Sequence, residues 1–379
     1  MKKDNVVSKI FSELNFDVQD IERYISQNNY KEEMLNKVEP YLQKELKCGY
    51  ILGKKSVKLY YEKFIVKNAK ANIVICHGLG EITEKYYELI YYFMKEQYSV
   101  FIIEHRGHGR SQRIGIDSSQ INVEKFDYYV EDFRKFIDEI VIPCGNNKNL
   151  LLFAHSMGGG IGTVFLEKYN NYFKAAILSS PMHGINTGKI PPSLAYIISI
   201  GMKIFGAGKR YLPGQVPYVE KESFSSTATN CKERYSYLYD KIKNNNAYHS
   251  GGTSASWYLE SLKATKSLIK KENSERVTIP VLLFQTEYDT YVLPEAQNNF
   301  ALHAKNCELI NVKGSKHESY FERDEIVFAV FEKVLSFYED HYKKWGYSST
   351  KIQMRIKPHL NQVLLHKKQN KLTLILKID

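Results

Sequence analysis

Short apolar runs and amphipathic stretches alternate along most of the chain. Stretches whose apolar residues recur with helical spacing are clearest at 84–97, 123–141 and 324–345. Six runs between them have the length and composition of buried strands: "ANIVICH", "YSVFIIE", "NLLLFA", "KAAILSS", "IPVLLFQ" and "CELINV". Strands that alternate with helices predict an α/β fold, in which a mainly parallel central sheet is flanked by helices.

The alternation is interrupted between His183 and about Val277. An interruption of this length predicts a helical cap or lid that is inserted between two strands of the sheet. The polar, charge-mixed start of the chain predicts a helical extension. We therefore expect four parts, namely an N-terminal helical extension at 1–48, a core at 49–182 and 277–345, an inserted cap at 183–276 and a basic C-terminal tail at 346–379.

The run "NLLLFA" leads directly into "HSMGGGIG", a serine followed by four glycines within six residues. A sharp strand-to-helix turn needs small residues, because the backbone bends and approaches its neighbours closely. Such a turn exposes its serine and predicts Ser156 as a nucleophile, although Ala154 replaces the first glycine of the usual G-x-S-x-G pattern. A phosphate loop would need a Gly-Lys-Ser/Thr ending, and a dinucleotide fingerprint would need an acid after the next strand. The sequence has neither.

A serine hydroxyl needs a base that takes its proton and an acid that orients the base. The loop after "IPVLLFQ" offers Glu287 and Asp289, and the loop after "CELINV" offers His317. The carboxyl ends of parallel strands share one edge of the sheet, so we expect these loops to lie beside Ser156. Asp289 is preferred as the acid because it lies further into its loop, and Glu287 remains the alternative.

The oxyanion of an acyl-transfer reaction needs backbone N–H donors. We expect one donor from Met157, the residue after the nucleophile. The other is expected from Leu79 in the loop "HGLGE", because the glycines on either side let the backbone turn. The two histidines of "EHRGHGRS" lack the further ligands of a metal site, and we expect neither a metal nor a cofactor.

Net charge and cysteine content indicate which partners, cross-links and cellular location to expect for the chain. The formal net charge of the 379 residues is +11, and about half of it lies in the tail. This surplus suits an anionic membrane surface or a phosphate-bearing substrate, and no nucleic-acid-binding signature accompanies it. Five scattered cysteines predict neither a disulfide framework nor a zinc site. No signal-like or membrane-spanning run is apparent, which predicts a cytoplasmic chain whose membrane contact, if any, is peripheral.

Six motifs occur in this order: "HGLGE", "RGHGRS", "AHSMGGGIG", "LSSPMHGI", "YDTYV" and "GSKHESYFERD". Together they resemble the lysophospholipase L2 and monoacylglycerol lipase group of α/β-hydrolases, which is of the serine aminopeptidase S33 type. The resemblance covers about residues 40–345 and departs from the family pattern at Ala154 and Glu104. It implies the α/β-hydrolase fold, a lipid-like ester substrate, and Ser156, Asp289 and His317 as the catalytic triad of a fatty-acyl ester hydrolase.

The insertion adds an indication of its own. From His183 to Val219 there is no Asp or Glu, and cations flank an apolar stretch at 194–205. We expect this stretch to contact an acyl chain, and Lys209 and Arg210 to favour an anionic head group. The leading function is a lysophospholipase or monoacylglycerol lipase that forms an acyl-enzyme. An aminopeptidase of the same fold and a non-catalytic hydrolase-fold binding protein remain the alternatives.

Overall fold

The computed structural model describes residues 11–14, 21–145, 149–188, 190–220 and 223–342. Nine strands form one sheet: β1 (Phe11–Glu13), β2 (Leu46–Leu52), β3 (Lys58–Phe64), β4 (Asn72–Cys76), β5 (Ser99–Ile103), β6 (Leu150–His155), β7 (Phe173–Ser179), β8 (Val281–Thr286) and β9 (Cys307–Val312). Their order is β1-β9-β8-β7-β6-β4-β5-β3-β2. The pairings β2–β3 and β3–β5 are antiparallel and the others are parallel, so the predicted α/β class is confirmed.

The strand β4 shows why its apolar run belongs in the middle of the sheet. All five of its residues are buried. Ile73 and Ile75 pack into one hydrophobic core, whereas Val74 and Cys76 pack into the other. Successive side chains of a strand face opposite sides of the sheet, so the two cores lie on its two faces. A strand that is covered on both faces has a continuous apolar sequence because neither row of side chains meets water.

Helices flank the sheet. They are α1 (Tyr30–Glu33), α2 (Glu39–Gln43), α3 (Tyr87–Lys95), α4 (Asp127–Phe136), α5 (Ile142–Cys144), α6 (Met157–Lys168), α7 (Pro192–Ile204), α8 (Lys232–Lys243), α9 (Ala255–Leu268), α10 (Lys271–Ser274), α11 (Pro294–His303) and α12 (Asp324–Tyr342). Turns of π-helix at Met34–Val38 and Ile137–Val141 continue α1 and α4. No described helix is both long and apolar enough to cross a lipid bilayer.

The segment before β2 contains a strand in addition to helix. Its helical part buries one residue every fourth position, namely Tyr30, Met34, Val38 and Leu42. At Phe11–Glu13, where the sequence pattern predicts only a helical extension, β1 pairs in parallel with Leu309–Asn311 and forms an edge of the sheet. A strand of three residues forms only when it pairs with a neighbouring strand, and the local sequence pattern does not indicate such pairing.

Residues 183–276 lie between β7 and β8, and their described part holds the α-helices α7 to α10. The helices α7 and α9 pack against each other, and α9 also packs on α6, the helix that follows Ser156. The insertion is therefore anchored next to the serine turn. The expected basic tail at 346–379 lies outside the described residues.

Candidate active site

Ser156 lies in a strained turn between β6 and α6. Its φ of 53° and ψ of −119° form a combination that residues other than glycine rarely adopt. Three backbone hydrogen bonds hold the turn, because the N–H of Ser156 donates to Ser179 and its carbonyl accepts from Gly160 and Met182. The residues on either side are buried, whereas Ser156 itself is half-buried. The turn therefore presents the hydroxyl at the end of the sheet.

Close approach of the backbone explains the glycines that follow. A Cβ on Gly158 would lie 2.0 Å from the carbonyl oxygen of Cys76, and a Cβ on Gly159 would lie 2.6 Å from the Cβ of Pro181. Real Cβ atoms essentially never make contacts this short. Gly158 thus lets α6 begin directly against the end of β4, which places Ser156 beside the loop that follows β4, and Gly159 lets α6 pack against the segment after β7.

His317 connects Ser156 to Asp289. Its Nε2 lies 2.8 Å from Oγ of Ser156, and its Nδ1 lies 2.7 Å from Oδ2 of Asp289. The imidazole is buried, and the rings of His155 and Tyr291 pack on it with centroid distances of 4.8 and 5.0 Å. With the proton assigned to Nδ1, the lone pair of Nε2 faces the serine hydroxyl, as a general base requires.

The carboxylate of Asp289 accepts four hydrogen bonds. His317 and the hydroxyl of Thr286 donate to Oδ2, and the backbone N–H groups of Tyr291 and Val292 donate to Oδ1 at 2.8 and 3.1 Å. Burial opposes the charge, but the hydrogen bonds and the interaction with His317 lower the pKa of Asp289 below its usual value. The carboxylate is therefore ionised wherever the protein is neutral or mildly acidic.

The other carboxylate of this loop has a different partner. Glu287 is exposed, and its Oε2 accepts a hydrogen bond of 2.7 Å from the N–H of Gly314. That contact joins the loop after β8 to the loop after β9. The structure thus brings Asp289 to the histidine, and it gives Glu287 a role in connecting the two loops.

The two expected oxyanion donors lie next to Ser156. Met157 is the first residue of α6, where a backbone N–H has no acceptor within its own helix and the helix dipole is positive. Leu79 lines the same cleft as Ser156, in a loop that turns at Gly80 with a φ of 72°. Both N–H groups belong to segments that border the nucleophile, as an oxyanion site requires.

A buried ionic cluster fixes the loop after β4 to the loop after β9. The ammonium of Lys85 lies 2.7 Å from Glu81 and 2.5 Å from Glu318. Burial opposes its charge, but the two carboxylates raise the pKa of Lys85 above its usual value. Glu318 adjoins His317 in sequence, so the cluster ties the histidine to the loop that contains Leu79. This role is not among those expected from the sequence, although both glutamates stand inside the motifs "HGLGE" and "GSKHESYFERD".

Glu81 and Glu318 also group with His155 at distances that would suit a metal ion. The ammonium of Lys85 already bridges the two carboxylates. Burial lowers the pKa of His155 to about 3, against the opposing effect of Glu81, so the imidazole is neutral. These contacts give the cluster a structural role.

The turn around "RGHG" contacts the start of the loop that follows β4. Arg106 makes a buried, two-pronged contact with Asp132 at 2.7 and 2.9 Å. The N–H of His105 donates to Nε2 of His77 at 2.9 Å. Burial lowers the pKa of His105 and of His108 well below the usual value, so both rings are neutral. The motif therefore holds the start of the loop at His77 in place.

The cleft at Ser156 has a volume of about 370 Å³. Its apolar lining comes from the core and from the insertion, and includes Leu79, Met182, Ile185, Trp257, Tyr258 and Val292. Lys209 and Arg210 are exposed and are not part of this lining. Backbone hydrogen bonds from Arg210 to Ala207 and from Ala255 to Arg210 fix their turn at the start of α9. The structure therefore does not bring these two cations to Ser156.

The fold, with a strained serine turn at the end of a central parallel strand, defines the class of α/β-hydrolases. The family model described as serine aminopeptidase, S33 matches residues 67–324. This match covers more than half of the chain, and the chain belongs to that family.

Named relatives agree with this assignment. A probable lysophospholipase L2 of Haemophilus influenzae is 31% identical over 290 residues, which are 76% of this chain and 90% of the relative. The lysophospholipase L2 of Escherichia coli K12 is 27% identical, over 79% of this chain and 89% of the relative. A solved monoglyceride lipase structure from Saccharomyces cerevisiae has a TM-score of 0.63 at 17% identity, covers 78% of this chain and 95% of its own, and shows the same fold. These matches confirm the expected class, a carboxylic-ester hydrolase with an α/β-hydrolase fold.

Proposed function

We propose that the chain hydrolyses the acyl ester of a lysophospholipid or a monoglyceride through an acyl-enzyme on Ser156. One observation carries the proposal, namely the continuous contact from Oγ of Ser156 through the imidazole of His317 to Asp289, at 2.8 and 2.7 Å. The relatives supply the substrate class, because two lysophospholipases L2 match 76 and 79% of this chain. Both substrates are glycerol esters that carry a single acyl chain.

In the first half-reaction, Nε2 of His317 takes the proton of the Ser156 hydroxyl while Oγ bonds to the carbonyl carbon of the ester. The oxyanion accepts hydrogen bonds from the N–H groups of Leu79 and Met157. The tetrahedral intermediate then collapses, the bond to the glycerol oxygen breaks, and the imidazolium protonates the leaving oxygen. Asp289 keeps the imidazole in the required tautomer and stabilises its positive charge.

In the second half-reaction, His317 takes a proton from water while the water oxygen bonds to the acyl carbon. The bond from the acyl carbon to Oγ of Ser156 breaks, and the imidazolium returns a proton to Oγ. One water is consumed for each ester, and the products are a fatty acid and the glycerol-containing alcohol.

The lining of the cleft suits a neutral leaving alcohol. Neutral polar side chains, which can bind glycerol hydroxyls, are contributed by Asn186, Gln215, Thr253 and Thr290. No Lys or Arg belongs to the described lining, so a phosphate head group would extend towards solvent. The cleft carboxylates Glu81 and Glu318 are both paired with Lys85, so neither is free to bind the amine of an aminopeptidase substrate.

We also propose that the outer face of α7 contacts an anionic membrane surface. Ile204 and Phe205, at the end of this helix, are 73 and 88% exposed. Lys209 and Arg210 follow shortly after this helix and are exposed as well. Apolar side chains that enter the interface, together with cations that meet anionic head groups, bind peripheral proteins to membranes. A single-chain lipid in such a membrane would then reside close to the cleft.

The catalytic proposal is tested with Ser156→Ala, and Ser225→Ala, an exposed serine of the insertion, is the matched control. We expect Ser156→Ala to lower ester hydrolysis by about four orders of magnitude or more. A fluorophosphonate probe should label the wild type and the control but not Ser156→Ala. Near-normal turnover by folded Ser156→Ala would remove the proposed mechanism.

Substrate and membrane contact need separate measurements. A panel of a palmitoyl lysophospholipid, palmitoylglycerol and an aminoacyl anilide should show hydrolysis of the two esters only, and their ratio identifies the preferred head group. Phe205→Glu should reduce co-sedimentation with phosphatidylglycerol vesicles, and salt should weaken binding of the wild type. Leu302→Glu, a change at an exposed leucine of α11, is the control. Equal binding by both variants would argue against the α7 face.

A further inference from the structure

A second, larger groove lies beside the catalytic cleft. It has a volume of about 780 Å³ and runs between α7 and α9. Ile185 lines both the groove and the catalytic cleft, and it is the one residue that their described linings share. None of Ser156, Asp289 and His317 lines the groove. It is therefore a separate space that adjoins the cleft across a single side chain.

Apolar groups form most of the groove wall. They include Ile185, Tyr196, Ile197, Leu262, Leu293 and Ala296. The wall also contains His183, whose Nε2 lies 2.9 Å from the hydroxyl of Thr163 and whose ring packs on Phe300. Burial lowers the pKa of His183 to about 3, so the ring is neutral. This part of the wall carries no charge, which suits a hydrocarbon tail.

Cations lie along the α9 side of the groove. Lys263 and Lys266 are three residues apart on one face of α9, and Lys270 follows the end of that helix; all three line the groove. Lys263 pairs with Glu260 at 3.1 Å. Lys266 and Lys270 are exposed and have no ion-pair partner among the described residues. The dipole at the carboxyl end of a helix favours cations even without a ligand. It does not explain why an apolar groove lies next to these lysines.

We propose that this groove binds a long-chain fatty acid anion, with the tail between α7 and α11 and the carboxylate at Lys266 and Lys270. The volume lies within the range of small-molecule sites, roughly 300–1,000 Å³, and the site combines an apolar wall with a few polar groups. The choice of a carboxylate rests on the proposed function, because the acid would form in the adjoining cleft. The groove would then hold the product of the reaction outside the catalytic cleft.

The experiment measures laurate binding by calorimetry on Ser156→Ala, which separates binding from turnover. Lys266→Glu/Lys270→Glu should weaken laurate binding about tenfold, since two attractions become repulsions. Ile197→Glu, which places a charge in the path of the tail, should weaken it similarly. Lys305→Glu and Ile204→Glu are matched controls, because both sites are exposed and neither lines the groove. The controls should keep the affinity within about twofold.

Two further ligands identify what the groove recognises. Dodecyltrimethylammonium has the same tail length with the opposite charge, and should bind more weakly than laurate. A lauroyl lysophospholipid with an anionic head should also bind more weakly than laurate. If it binds more tightly, the groove is a site for the substrate and not for the fatty acid product. If the groove variants and the controls bind laurate alike, the site is not this groove. Because every measurement is made without turnover, a failure here leaves the catalytic proposal intact, and a failure of the catalytic proposal does not remove the binding result.

Discussion

Gly158→Ala adds a single methyl group where α6 meets β4. Its Cβ would lie 2.0 Å from the carbonyl oxygen of Cys76 and 2.5 Å from that of His77. Both obstacles are backbone atoms, which cannot rotate away as a side chain can. To reach even 3.0 Å from the first oxygen, the start of the helix must move by about 1 Å.

That movement would shift Ser156 and Met157 relative to Leu79, because all three border the same junction. A displacement of about 1 Å in a catalytic group costs roughly 100-fold in rate. Overpacking costs about 1–3 kcal/mol of stability, and the better helix propensity of alanine offsets about 0.5–1 kcal/mol of that. We therefore expect a large loss of kcat with a smaller loss of stability.

The assay is ester hydrolysis with a short-chain p-nitrophenyl ester, together with urea unfolding. Gly201→Ala is the matched control, because this glycine lies in α7 and a Cβ there would meet nothing within 4 Å. The control should keep its activity and gain about 0.5–1 kcal/mol of stability. A Gly158→Ala enzyme with the kcat and stability of the wild type would show that the close approach to β4 is unimportant.

Three further predictions concern single side chains. Asp289→Asn should lower kcat about 10⁴-fold, whereas Glu287→Gln should change it less than about tenfold. The reverse order in steady-state kinetics would mean that Glu287, and not Asp289, orients His317. Burial raises the pKa of Glu167 from 4.5 to about 8. Between these pH values the folded state keeps a proton that the unfolded state loses, so the free energy of unfolding falls as the pH rises. Glu167→Gln should therefore raise the urea midpoint at pH 8 and leave it unchanged at pH 4, and an equal rise at both pH values would contradict this assignment. Arg106→Gln should cost about 3–5 kcal/mol in urea unfolding, because it leaves the buried Asp132 unpaired, and a cost below about 1 kcal/mol would contradict a strong contact.

The sheet and the placement of the candidate triad follow from local patterns. The apolar runs mark strands that are buried on both faces, and a parallel sheet gathers the loops at their carboxyl ends. A serine, an acid and a histidine that follow three such strands are thereby expected at one edge. The sequence alone leaves the choice between Glu287 and Asp289 open, because it does not show which of two carboxylates in one loop faces the histidine.

Other parts of the site depend on contacts that no local pattern contains. Lys85 and Glu318 are 233 residues apart in sequence and meet only in the folded chain. The exposed position of Lys209 and Arg210 likewise results from how their turn docks on α9. The absence of Asp and Glu from 183 to 219 indicates a basic surface, but it does not determine which cations face the cleft.

The pairing of β1 with β9 has a consequence for biosynthesis. Phe11–Glu13 leaves the ribosome almost 300 residues before its partner Leu309–Asn311. Pairing over such a separation is slow, since the ends of a long loop must meet first. Until it occurs, β9 presents an unpaired backbone edge to which a strand of another molecule can add. The newly made chain is therefore most open to aggregation in the interval between the synthesis of β9 and its pairing with β1.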